Sequence, residues 1–89
     1  IPSEFFMAPA FPNPFNMETT VRFGIPTPGF VSITVWDMHG RQVADITNSQ
    51  LSAGNYSAVW RANGLTSGIY MIRMHSGNFN KLQKSVLVR

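Results

Sequence analysis

Residues 20–40, TVRFGIPTPGFVSITVWDMHG, decide the fold class. Val21, Phe23 and Ile25 alternate with Thr20, Arg22 and Gly24, and Val31, Ile33 and Val35 alternate with Ser32, Thr34 and Trp36. Period two places each apolar set on one face of a half-buried strand. The β-branched residues of the second run favour the same reading. Pro26-Thr27-Pro28-Gly29 separates the two strands with a turn. Asp37-Met38-His39-Gly40 closes the second with type I turn chemistry, an aspartate able to accept from backbone N–H groups and a glycine at the fourth position.

The same punctuation continues on both sides. Residues 1–16, IPSEFFMAPAFPNPFN, contain Pro2, Pro9, Pro12 and Pro14. They exclude a helix and suit a linker end followed by an irregular edge strand. Gln42 to Thr47 is a weaker strand whose Val43 and Ile46 break period two, which a bulge reconciles. Ser49 to Gly54 is expected as a loop. Tyr56, Ala58 and Trp60 alternate with Asn55, Ser57 and Val59, and Asn63-Gly64 marks a turn. Tyr70, Ile72 and Met74 alternate with Met71, Arg73 and His75, and Gly77-Asn78 signals a two-residue hairpin. The last strand runs from about Phe79 to Val88, with an edge position or a bulge near Ser85 expected. No stretch carries the i, i+3, i+4 apolar spacing of an amphipathic helix. About seven short strands with regular turns predict an all-β, immunoglobulin-like antiparallel sandwich with Greek-key connections. A barrel is the structural alternative.

Length and composition bound the function. The 89 residues suffice for one domain. There is no cysteine, which excludes disulfides and thiolate metal ligation. Charged residues make up only 12% and hydrophobic ones 44%, a balance opposite to that of disordered chains. The net charge of +3 comes from dispersed residues, and only Lys81, Lys84 and Arg89 cluster. No aromatic platform interleaves with them, so nucleic acid is not an expected partner. No apolar run approaches the length of a membrane span, and direct membrane insertion is not expected. The chain opens on Ile1, which reads as a piece of a longer protein.

No catalytic, cofactor-binding or metal site is expected. The acids are Glu4, Glu18, Asp37 and Asp45, and the histidines are His39 and His75. Asp37 and His39 share a turn, where capping explains the aspartate. His75 falls on an outward face near a strand end. No nucleophile, base and acid follow a known motif, and the acids are too scattered for a calcium loop. Trp36 faces away from the core side of its strand. It either stacks on a sugar, or covers a sheet edge or packs under Phe5 or Phe6; the second is favoured. Trp60 and Tyr56 share a face directed to the core. Leu65-Thr66-Ser67-Gly68-Ile69-Tyr70 has the form of a tyrosine corner, with the Tyr70 hydroxyl returning to the backbone near Leu65 or Thr66.

Five pieces then appear in order: Phe11-Pro12-Asn13-Pro14-Phe15-Asn16, Thr19 to Phe23, Val35 to Val43, Leu65 to Tyr70, and the basic tail around Lys81 and Lys84. Together they resemble the C-terminal sorting domains of type IX secretion cargo, over about Pro9 to Arg89. A related sandwich in flagellar hook-capping proteins shares the opening pattern. Met17 stands where many members have proline. The resemblance implies a non-catalytic, seven-stranded sandwich that directs a folded cargo through the outer membrane to the cell surface or medium, after periplasmic transit. It implies as partners the outer-membrane secretion machinery, its signal-processing enzyme and a covalently linked upstream cargo domain. It divides the chain into a linker end with an irregular edge strand, residues 1–10, and a sorting domain, residues 11–89. The recognition positions it implies are Pro12, Asn13, Pro14, Gly68, Tyr70, Lys81 and Lys84. Lys81 and Lys84, three apart on a strand, should point to opposite faces. The last strand would offer an edge for strand addition. The alternative is an accessory adhesion or carbohydrate-binding module of a secreted enzyme, in which Trp36 would be exposed beside another aromatic.

Overall fold

The computed structural model describes residues 1–89 and contains seven strands and no helix. The strands are β1 (Phe6–Met7), β2 (Glu18–Ile25), β3 (Gly29–Trp36), β4 (Gln42–Leu51), β5 (Gly54–Arg61), β6 (Gly68–Ser76) and β7 (Phe79–Leu87). They form two sheets, one ordered β1-β2-β5 and the other β4-β3-β6-β7, with every strand pair antiparallel. The chain changes sheet between β2 and β3, between β4 and β5, and between β5 and β6, giving the expected sandwich rather than a barrel.

The period-two sets supply the core. Val21, Phe23 and Ile25 from β2 face Val31, Ile33 and Val35 from β3 and Ile72 and Met74 from β6, all buried. Fully burying each such side chain contributes roughly 1.5–3 kcal/mol. Trp60 from β5 and Tyr70 from β6 bridge the sheets edge to face at 5.5 Å, and Phe15 packs on Trp60 at 5.0 Å. Tyr56 stacks on Phe23 at 5.5 Å, as the shared inward face of Tyr56 and Trp60 requires.

Two expectations change, and of the two alternatives for β7 the edge position holds. β4 does contain register shifts, but it continues through Ser49–Leu51, and only Ser52 and Ala53 separate it from β5. Ladder pairing with Phe30 and Val31 holds the polar Gln50 and Ser49 in strand despite their loop-like composition, and Leu51 pairs with Gly29 and packs against the core. β7 carries no bulge: its register with β6 is unbroken from Gly68↔Leu87 to Ser76↔Phe79. It breaks period two because it is an edge, where Leu82 faces solvent at 56% exposure. Trp36 lies on the outer face of the four-stranded sheet, with its Nε1 donating to Thr34 Oγ1 at 2.9 Å. Phe5 stacks instead on Phe79 at 5.3 Å, and Phe6 crosses over Gly24.

Candidate functional site

From β1 the N-terminal segment continues beside β2, with the Ala8 amide donating to the Arg22 carbonyl at 2.7 Å and Phe11 and Thr20 exchanging backbone bonds, while further contacts reach β7. Its contacts are specific. Gln83 donates from Nε2 to the Ala8 carbonyl at 2.8 Å and accepts at Oε1 from the Ala10 amide at 2.7 Å. Lys81 Nζ donates to the Met7 carbonyl at 3.3 Å. Met7 and Ala10 are both buried in the core.

Asn13 repeats the arrangement from the opposite side. Its Nδ2 donates to the Lys84 carbonyl at 3.1 Å, and its Oδ1 accepts from the Val86 amide at 2.9 Å. The side-chain amide thus acts as one peptide group of an added strand. Phe15 continues this pairing with its backbone, donating to the Val86 carbonyl at 2.9 Å and accepting from Val88 at 2.8 Å. Pro12 and Pro14 flank Asn13, and neither proline has an N–H to contribute. The Pro12 carbonyl accepts from the buried Thr19 hydroxyl at 2.7 Å.

Of the seven positions expected to carry recognition, Pro12, Asn13, Pro14 and Lys84 therefore meet on one exposed surface. Lys81 and Lys84 do take opposite faces: Lys81 turns toward β1, and Lys84 toward the outer face of the sheet. Tyr70 is elsewhere. It is buried at 6% exposure and donates its hydroxyl to the Thr66 carbonyl at 2.7 Å, forming the tyrosine corner. Gly68, half-buried, opens β6 opposite Leu87. Gln83 was not among the sequence candidates. Its signal was present only as a polar residue in an otherwise inward position of β7.

Alternate residues of β7 turn their backbone groups away from β6. Asn13 and Phe15 cover the Lys84 carbonyl, both backbone groups of Val86 and the Val88 amide, so the open edge runs from Asn80 to the Lys84 amide.

Charges on this side are uncompensated. The ion pairs are Arg41–Asp37 and Arg61–Glu18, both at 3.1 Å, which leaves Arg73 and Lys84 without a carboxylate partner. Asp37 accepts from the Arg41 and His39 amides and from Arg41 Nε, at 3.0, 2.8 and 3.1 Å. The Arg41 amide bond, reinforced by the others, holds its carboxyl below the ordinary 3.8. No group of three or more His, Cys, Asp or Glu side chains converges to hold a metal ion.

No curated protein matches this chain. The family model described as the secretion system C-terminal sorting domain matches residues 9–89, from the proline ahead of the Asn13 clasp to the last residue. That match covers nearly all of the sandwich, and the chain belongs to the family of type IX secretion C-terminal sorting domains.

Proposed function

We propose that the chain is a non-catalytic address that directs a folded, covalently linked upstream cargo through the type IX machinery, and that its recognition surface is the seam between Pro12-Asn13-Pro14 and β7. Family membership supports the sorting role. The observation that carries the location is the Asn13 clasp: two sequence features 71 residues apart are held as one exposed surface beside an uncompensated lysine. Such a surface exists only in the folded domain. An outer-membrane receptor and a signal-processing enzyme reading this seam would therefore engage the domain only once it has folded. The carbohydrate-binding alternative loses its main support, because the groove beside Trp36 contains no second aromatic residue.

The experiment is a reporter fused ahead of the chain in a host with type IX machinery. The intact fusion should reach the cell surface or medium, and a reporter lacking the chain should remain inside. Equal export of the two overturns the sorting reading. Lys81→Ala/Lys84→Ala should lower export while the domain stays folded; unchanged export moves recognition away from the seam.

A further inference from the structure

The outer face of the four-stranded sheet holds a groove that shares only Lys84 with the seam. The groove, open and of about 700 Å³, runs from the β3–β4 turn across β6 to β7, lined by Trp36, Met38, Met71, Arg73, Asn80 and Leu82. Register explains the lining. Trp36 sits opposite Met71, which sits opposite Lys84, and Arg73 sits opposite Leu82. Cross-strand neighbours on one face lie about 5 Å apart, so the apolar and cationic side chains form adjoining strips.

Three properties distinguish this face from an ordinary solvated sheet. Met38 and Leu82 are 65% and 56% exposed, an apolar presence that adds nothing to the core. Arg73 is fixed, with Nε donating to Asn80 Oδ1 at 3.0 Å, which leaves its terminal nitrogens directed to no protein acceptor. Arg73 and Lys84 are diagonal neighbours on β6 and β7, and neither is balanced by an acid. Asp37, the carboxylate that lines the groove, is engaged by Arg41 and two amides, and Asp45 lies on the same face two strands from Arg73, across Thr34, without an ion pair to it.

Resting on the sorting reading, we propose that this groove binds a partner peptide segment in which a large apolar side chain stands next to acidic residues. The apolar side chain lies over Trp36, Met71 and Leu82, and the carboxylates meet Arg73 and Lys84. A fixed guanidinium suits a carboxylate, because its planar donors can bond both oxygens. Charge excludes a second copy as occupant: the chain carries +3, and apposed faces would bring Arg73 and Lys84 against their equivalents.

The test uses the intact chain and a synthetic peptide about six residues long, a usual strand length, with Glu and Phe at every second position and Ser between them, so that the acidic and apolar side chains share one face. A matched peptide carries Lys for Glu, and a neutral oligosaccharide is the third probe. The Trp36 indole N–H resonance reports binding; Trp60 is buried and serves as the internal reference. The acidic peptide should shift the Trp36 signal. Arg73→Glu/Lys84→Glu should weaken it by about tenfold or more and transfer preference to the lysine peptide. Should the reversal fail to fold, Arg73→Gln, which keeps a polar side chain for Asn80, should still weaken the acidic peptide. Equal binding of both peptides, no binding of either, or a response to the oligosaccharide alone overturns the proposal. Export separates it from the sorting reading. If the acidic peptide fails to bind while export still depends on the chain, the groove assignment falls and sorting stands. If the peptide binds but the reporter is exported without the chain, sorting falls and the groove stands.

Discussion

Asn13 Oδ1 accepts from the Val86 amide at 2.9 Å across 73 residues of sequence, so one short side chain joins the first segment of the domain to the edge of its last strand. Asn13 Nδ2 donates to the Lys84 carbonyl, which makes the clasp bidentate. Asn13→Ala should cost about 1 kcal/mol, since both bonds are exposed and water replaces part of them. Hydrogen exchange is the sharper measure. The Val86 amide should exchange faster in the variant, while the Val88 amide, bonded to Phe15, stays protected. Equal acceleration at both amides would show that the segment detaches as a unit.

The Tyr70 hydroxyl donates to the Thr66 carbonyl at 2.7 Å from a buried ring. Tyr70→Phe keeps the edge contact with Trp60 and removes only the hydroxyl. Thermal or denaturant unfolding should show a loss of about 1–1.5 kcal/mol, the usual net worth of such a bond. An unchanged midpoint would mean that the carbonyl finds water at no cost.

Ser85 behaves in the opposite way. It is fully buried in β7, and its hydroxyl has no hydrogen-bond partner. Leaving a buried polar group unpaired is destabilising. Ser85→Ala should therefore leave stability unchanged or raise it by up to about 1 kcal/mol. A clear loss of stability on denaturant titration would reveal a partner for the hydroxyl.

Asp37 sets an acid limit on the β3–β4 turn. Its pKa is lowered in the folded state, chiefly by the Arg41 amide, so the stabilisation is present above the unfolded value near 3.8 and is lost as pH falls through the folded value. Thermal midpoints should decline below pH 4 more steeply for the wild type than for Asp37→Asn, which binds no proton there. Parallel declines would assign the acid sensitivity to another carboxylate.

The sequence by itself determined the elements with regular period two. Val21-Phe23-Ile25, Val31-Ile33-Val35 and Tyr70-Ile72-Met74 each required one buried face, and that requirement fixed β2, β3 and β6 and hence the sandwich. The tyrosine corner was legible because its partners lie 4 residues apart. Tertiary structure alone decided the rest. Ser49–Leu51 became strand because ladder pairing with β3 outweighs local polar composition. Leu82 turned to solvent because an edge strand need not bury both of its apolar sets. The meeting of Asn13 with Lys84 and Val86, the placement of Gln83 against Ala8 and Ala10, and the strip joining Trp36, Met71 and Lys84 all depend on contacts between distant segments. Periodicity reports which face a residue takes, whereas sheet order and register report which neighbour it meets there, and the candidate surfaces are made of neighbours.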